Sequence, residues 1–324
     1  MKWNRRSEDP PETAASDVVE DVRPGHPLVS IVDDVAELPA GARPVLVHAL
    51  DGFLSAGAAS RIAAGHLTAG GGRVVASFDI DLMYDYRARR PGLVFDRDHY
   101  SGYDAPRLVV RLLQDKTGVP FLLLSGPEPD FRWEGFTAAV RVVVERFEVP
   151  LVVGLGAVPM GVPHTRPVMI TAHATRSELV DRVNLWRGQL LVPASAQSLL
   201  ELRLGQWGHD AMGYVAHVPH YLTQVEFPSA ALALLEAAAE RTGLVLDLDA
   251  LRGTAASAMV DIDKQVTEQE GQPVLSGLEE QYDAFTRGAE DSLLAAQGPL
   301  PTADELGQQV EQFLAGLDTG DEGD

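Results

Sequence analysis

Short, continuous apolar runs spaced along the chain are the feature that most restricts its fold. Several are apolar throughout rather than alternating, which is typical of strands buried on both faces of a sheet. Helical patterns separate them, at 56–67 and 136–147 for example. This alternation predicts an α/β fold with three α/β/α layers around a mostly parallel mixed sheet. The strand-length runs lie at 28–32, 45–50, 74–78, 121–124, 151–155 and 168–171.

The stretch from about 190 to 262 has a different, helix-rich texture. We expect it to form a second sub-region of the same α/β domain, which extends over 26–262. Its predicted elements are strands at 190–193 and 213–218 and helices at 196–204, 229–242 and 248–260.

The two ends of the chain differ from this body. Residues 1–25 are polar and rich in proline, so we expect a flexible leader. Residues 263–324 are expected to form an acidic helical C-terminal arm with a disordered end. From position 264 onward the chain carries 14 acidic and 2 basic residues, a net −12 out of a formal net charge of −21.

Composition excludes several classes of protein. A net charge of −21 opposes binding to nucleic acid or to anionic lipid, because both require a basic surface. The chain has no cysteine, so it has neither disulfides nor thiolate metal sites. It also lacks a run of about 18 apolar residues and a secretory h-region. We therefore expect a cytoplasmic protein that does not span a membrane.

Candidate ligand-binding residues follow the predicted strands, because loops and helix starts meet at the carboxyl ends of parallel strands. The first set is Asp51, Gly52 and Gly57, where a strand turns into a helix of small residues. The glycines allow a tight turn and let an anion approach the helix start. The alternative is a capped helix whose glycines serve close packing.

The second set lies in 125–134 and includes Ser125, Gly126 and Glu134. These residues either face a substrate or form a turn in which Asp130 caps the next helix.

The third set lies in 154–167, a stretch rich in glycine and proline that places His164 beside Arg166. Arginine can bind a carboxylate or phosphate and histidine can move a proton. Alternatively, Arg166 forms a structural salt bridge and His164 a backbone hydrogen bond. His173, His217 and His220 are expected to be structural, and we predict neither a metal site nor a cofactor.

The segment 83–91 contains both aromatic and basic residues. Nearby aspartates largely neutralise the arginines, so we interpret this patch as a contact with a protein partner or another subunit rather than with nucleic acid.

Several of these segments together resemble the proteasome assembly chaperone two (PAC2) family, in its actinobacterial branch. The resemblance covers about 28–262 and is carried by Asp51-Gly52-Phe53, by the Leu-Leu-Leu-Ser-Gly-Pro-Glu-Pro run at 122–129, by the Pro-His-Thr-Arg-Pro element at 163–167 and by 213–221. It implies a phosphorylase/hydrolase-like three-layer fold. Its eukaryotic members assist assembly of the proteasome α ring. The sequence at 319–324 lacks the hydrophobic residue and tyrosine with which proteasome-docking members commonly end.

Two main functional hypotheses remain. The first is a non-catalytic protein-binding or assembly factor of the proteasome assembly chaperone type. We expect it to form a homo-oligomer and to bind a protein partner, for which a proteasome-related protein is the candidate. The second is a hydrolase or phosphorylase for a small anionic or nucleoside-like substrate, in which His164 or Glu134 moves protons, Arg166 holds the anion and Asp51 orients the substrate. A third reading is a non-catalytic ligand sensor.

Overall fold

The computed structural model describes residues 26–32, 35, 38–39, 41–180, 189–268 and 271–295. The predicted leader at 1–25 and the end of the predicted arm at 296–324 lie outside the described residues. The strands are β1 (Val29–Ile31), β2 (Leu46–Asp51), β3 (Arg73–Phe78), β4 (Leu93–Asp96), β5 (His99–Tyr103), β6 (Val109–Gln114), β7 (Pro120–Pro127), β8 (Val152–Met160), β9 (Ile170–Ala174) and β10 (Ala211–Pro219). The helices are α1 (Ala59–Thr68), α2 (Trp133–Arg146), α3 (Ala196–Gln206), α4 (Pro228–Thr242), α5 (Asp249–Glu268) and α6 (Gln272–Ala295).

Eight strands form one mixed sheet in the order β1-β3-β6-β7-β2-β8-β10-β9. The four strands β7, β2, β8 and β10 are parallel to one another at its centre. The outer strands β6, β3 and β1 on one side and β9 on the other pair antiparallel. The remaining strands β4 and β5 form a separate two-stranded hairpin.

Alternate residues of the central strands feed two hydrophobic cores. Val47 of β2 belongs to the core that packs against α1, α4 and α5, whereas Leu46 and Leu50 belong to the core beneath α2 and α3. Since side chains along a strand alternate between the two faces, a strand that is buried on both faces carries apolar residues at most of its positions. The predicted α/β class with a mixed sheet is thereby confirmed.

Local sequence signals set the helix ends. Helix α3 begins with a capping box, in which the Ser195 side chain accepts from the backbone N–H of Ser198 at 3.0 Å. Helix α4 begins at Pro228 and is followed by Gly243 in the left-handed conformation.

The structure differs from the sequence-based expectations in two segments. The predicted strand at 190–193 is wrong, since this stretch is an irregular connection whose residue Leu191 is fully exposed. The expected boundary at 262–263 falls inside α5, which continues to Glu268. The division into body and arm therefore stays a prediction.

Two histidines and two glycines form one row across the sheet. His48 of β2 pairs with Gly154 of β8, Gly154 pairs with Gly213 of β10, and Gly213 pairs with His173 of β9. The two histidine rings fold over the two glycines, and Gln197 of α3 lies above them. The absent side chains of the glycines thus create the room that two rings occupy between the sheet and α3.

We expect Gly154→Ala to lower the free energy of unfolding by about 2 kcal/mol, because overpacking a closed interior forces side chains out of place. The added Cβ would lie 2.7 Å from the ring of His48, which is itself buried. The matched control is Gly253→Ala in α5, where a Cβ meets nothing within 4 Å. It should raise stability by about 0.5–1 kcal/mol. Urea denaturation measures both, and a Gly154→Ala variant as stable as the parent contradicts the prediction.

Burial also predicts a pH dependence of stability. Desolvation, reinforced by the neighbouring His173, lowers the pKa of His48 from 6.5 to about 3. Between these values the unfolded chain binds a proton that the folded protein does not, so stability falls as the pH is lowered from about 6.5 towards 3. The slope from this group is at most about 1.4 kcal/mol per pH unit.

The variant His48→Leu should lose this part of the slope, whereas His99→Leu, at an exposed position of the β4–β5 hairpin, should keep it. The measurement is urea denaturation at pH 7, 6 and 5. Parallel stability curves for the parent and His48→Leu count against the assignment.

Candidate functional site

The carboxyl ends of the four central strands lie at one edge of the sheet, because these strands are parallel and adjacent. The strands end at Asp51, Pro127, Met160 and Pro219. The turns singled out in the sequence, at 51–57, 125–134 and 154–167, therefore follow neighbouring strands at this edge, here called the rim. What differs between them is the partner that each turn contacts.

Glu128 is the carboxylate that joins elements at the rim. It is buried, and it accepts hydrogen bonds from the backbone N–H of Phe53 and from that of Ala196, both at 2.7 Å. Gly52 makes room for it, since a Cβ at that position would lie 2.0 Å from the Glu128 carboxylate. One carboxylate thus satisfies a backbone donor in the turn after β2 and another at the start of α3.

The other acidic candidates lie in different surroundings. Asp51 accepts a hydrogen bond from the hydroxyl of Ser55 at 3.0 Å in an exposed turn. Glu134 lies on α2 and accepts a hydrogen bond from Nε of Arg203 on α3 at 2.8 Å. That hydrogen bond lowers the pKa of the Glu134 carboxyl. Asp51 is thus hydrogen-bonded within its own turn and Glu134 links α2 to α3, whereas Ser125 is buried inside β7.

The candidate glycines Gly57 and Gly126 have packing constraints. Both have positive φ, at 62° and 140°. A Cβ at Gly126 would lie 2.1 Å from the carbonyl oxygen of Arg107, and one at Gly57 would lie 2.9 Å from Phe227. These contacts require glycine whether or not a ligand binds nearby.

His164 is buried beneath the C-terminal helices. Its backbone N–H donates to the hydroxyl oxygen of Tyr221 at 3.0 Å, and its ring nitrogens lie 2.7 Å from that hydroxyl and 2.9 Å from a carboxylate oxygen of Asp263. One tautomer satisfies both ring contacts, with Tyr221 donating to Nδ1 and Nε2–H donating to Asp263. Burial raises the pKa of the Tyr221 hydroxyl. The ring of His164 is thus fixed at both nitrogens.

Arg166 is bound by α6. Its Nε and Nη2 donate to the two carboxylate oxygens of Asp283, each at 2.8 Å, and its Nη1 donates to Glu279 at 3.2 Å. The hydroxyl of Thr165 also donates to Glu279. Hydrogen bonding to Asp283 raises the pKa of Arg166, and the same bond lowers the pKa of Asp283. A guanidinium with two carboxylates has its charge neutralised within the chain.

The structure therefore divides the candidate residues into groups. Asp51 and Gly52 lie in the turn that Glu128 holds, and His164 and Arg166 lie under α5 and α6. Glu134 contacts α3. The ligand-binding and catalytic roles of these residues stay predictions. Within the described ranges, no group of three or more histidine and acidic residues could hold a metal ion, and no helix combines the length and apolarity needed to cross a bilayer.

Sequence reasoning missed the partners that α5 and α6 supply, namely Asp263, Glu279 and Asp283. A signal was present, because Glu279 and Asp283 are four residues apart and so share one face of a helix. It could not be assigned to Arg166, since nothing in the sequence specifies where α6 crosses the body.

We expect Arg166→Gln to loosen α6. The variant removes the bidentate pair with Asp283, so amide hydrogen exchange in α6 should become faster by about three- to ten-fold. The matched control is Arg176→Gln, which removes a bidentate pair with Asp210 elsewhere in the body. Exchange rates in α6 that Arg166→Gln leaves unchanged, or that Arg176→Gln raises equally, would show that this contact does not hold the helix.

Comparison with known proteins now adds to this geometry. The sequence matches the PAC2 family over residues 49–266. No curated protein matches it. Among solved structures, a Mycobacterium tuberculosis protein of unknown function is 46% identical with a TM-score of 0.79, and the match covers 85% of this chain and 95% of that one.

Two further structures extend the comparison. A Corynebacterium glutamicum protein of unknown function is 37% identical with a TM-score of 0.75, covering 79% of this chain and 97% of that one. A proteasome-assembly chaperone homologue of Mycobacterium tuberculosis is 26% identical with a TM-score of 0.65, covering 69% of this chain and 96% of that one. The resemblance inferred from the sequence motifs is confirmed, and the chain belongs to the PAC2 family.

Proposed function

We propose that this protein is a non-catalytic, cytoplasmic binding factor of the proteasome-assembly type, and that the β4–β5 hairpin is the surface that contacts its protein partner. The observation that carries the proposal is the exposure of this hairpin. Five large apolar residues in it are between 53% and 69% exposed, namely Leu93, Val94, Phe95, Tyr100 and Tyr103.

The hairpin lacks support from the main sheet. It is a two-stranded sheet by itself, and every residue of β4 is exposed. An isolated two-stranded hairpin is marginally stable in water, and a contiguous apolar patch on a protein surface commonly marks an interaction site. Covering this patch with another protein removes apolar area from water and adds order to the hairpin.

The base of the hairpin is fixed to the rim. Arg89 donates to the carbonyl oxygen of Glu128 and to the carboxylate of Asp130, both at 2.6 Å, and its guanidinium lies 4.5 Å from the ring centre of Tyr84. The Asp130 carboxylate also accepts from the backbone N–H of Asp85 at 2.7 Å. These contacts pair the positive charge of Arg89 with a carboxylate of the same chain. Because this charge is already paired, the patch favours an apolar protein contact over nucleic-acid binding.

Family membership supports the class of partner. The match to PAC2 includes the hairpin and the rim, and one structural relative is a proteasome-assembly chaperone homologue. We therefore propose a proteasome-related partner and a homo-oligomeric state. The hydrolase or phosphorylase alternative has no comparable support, because the contacts of Arg166 and His164 are made by residues of the chain itself.

The test is affinity purification of the tagged protein from its native cells, with proteasome subunits quantified by mass spectrometry. The double variant Phe95→Ser/Tyr100→Ser should recover at least about ten-fold less of them, since loss of central aromatic residues weakens an interface strongly. The matched control is Val260→Ser, which removes an apolar residue that is 68% exposed on α5 and should recover as much as the parent.

Three results would each reject a part of the proposal. Purification of the parent without proteasome subunits rejects the proteasome-related partner. Equal recovery by the double variant and the parent, at equal melting temperature, rejects the hairpin as the contact surface. Light scattering of the purified protein tests the homo-oligomer separately, and a monomeric mass at all concentrations excludes it.

A further inference from the structure

A cavity of about 280 Å³ lies between the rim and α6. Its lining comes from both sides: the body supplies the end of β8, the following loop and β10, and the arm supplies one face of α6. Its lining includes Met160, Val162, Met169, His217, Tyr282 and Phe285.

Polar contacts around the cavity hold its walls apart. The Tyr282 hydroxyl donates to the carbonyl oxygen of Pro167 at 3.0 Å, and Asp283 on the next residue of α6 accepts from Arg166. These bonds fix the distance between α6 and the loop beside the cavity. The space between them therefore does not close, although an empty apolar cavity is unfavourable.

The chemistry of the lining selects the ligand. The two methionines and Val162 are apolar, and the Tyr282 hydroxyl is already hydrogen-bonded. The Nε2 of His217 is 2.9 Å from the hydroxyl of Thr171. Burial lowers the pKa of His217, so its ring is neutral at pH 7. The cavity thus offers apolar surface without a free charge, and a charged ligand would lose its hydration without compensation.

The volume of the cavity restricts the size of the ligand. An apolar protein cavity of about 150 Å³ accepts one benzene. A cavity nearly twice as large therefore suits a compact two-ring or branched molecule. Methionine side chains adapt to irregular shapes and contact aromatic rings favourably. Gln281 and Phe285 are exposed, which places the mouth of the cavity beside them.

We propose that this cavity is a binding site for a compact, uncharged, mainly apolar small molecule, with α6 as one wall. The proposal does not depend on the identity of the protein partner, because none of its residues lies in the β4–β5 hairpin. The protein would then have a second binding region besides the β4–β5 hairpin, in which α6 helps to enclose a ligand.

The test uses the full chain labelled with ¹³C at the methionine methyl groups, with indole as the neutral probe and benzoate as the charged one. Met160 and Met169 line the cavity, whereas Met83 and Met212 are buried elsewhere. Met259 lines a neighbouring groove beside His164 and therefore reports on that groove instead. Indole should shift the Met160 and Met169 resonances saturably and leave those of Met83, Met212 and Met259 unchanged, and benzoate should shift none.

A second experiment fills the cavity with a larger side chain. Met169→Trp should weaken indole binding at least about ten-fold, judged from the Met160 resonance, and the matched control Met259→Trp should leave it unchanged. Indole shifts confined to Met259, no saturable shift up to the solubility limit of indole, or equal shifts with benzoate would each overturn the proposal. Should Met169→Trp fail to fold, the labelled parent protein alone still decides between these outcomes.

Discussion

The contact between Arg166 and the carboxylates of α6 positions this helix, the last described part of the chain, against the rest of the protein. Arg166 donates three hydrogen bonds to Asp283 and Glu279, and the nearby His164 contacts Asp263 of α5. Helix α6 carries five acidic residues and one basic residue. Charge-assisted bonds to one loop therefore take over much of the positioning that a hydrophobic interface provides elsewhere. The cavity between α6 and the rim lies beside these bonds.

The centre of the sheet shows how glycine and buried polar groups depend on one another. Gly154 and Gly213 leave room for the rings of His48 and His173, and Gly52 leaves room for the carboxylate of Glu128. In each case a missing side chain admits a polar group that links the sheet or rim to α3 or fills the space beneath it. Close approach within the chain is thus a sufficient reason for glycine at these three positions.

The sequence was informative wherever burial was complete on both faces. Strands β2, β7 and β8 follow from continuous apolar runs, and the starts of α3 and α4 follow from serine and proline signals. Strand β6 was missed because Arg111 interrupts its apolar run. The hairpin was missed because its apolar residues face solvent and so show no inside–outside pattern. A strand was wrongly predicted at 190–193, because an apolar run forms a strand only where a neighbouring strand can pair with it.

The candidate site shows a similar division. Parallel strands place the predicted turns at one edge, because topology alone brings carboxyl ends together. Side-chain partners depend instead on where helices cross, and a single sequence does not specify that. Glu134 was chosen as a proton-transfer group although Glu128, six residues earlier and directly after β7, is the buried carboxylate at the rim.

These constraints argue for recognition by surfaces rather than for chemistry at the rim. A catalytic pair needs a proton donor or acceptor that a substrate can reach, together with a charge that the substrate can neutralise. Here the ring of His164 is bonded at both nitrogens, and the guanidinium of Arg166 is neutralised by α6. An exposed apolar surface lies instead in the β4–β5 hairpin, which Arg89 fixes to the same rim. Binding there would use residues that are free to contact a partner and would leave the bonds that hold the arm in place intact.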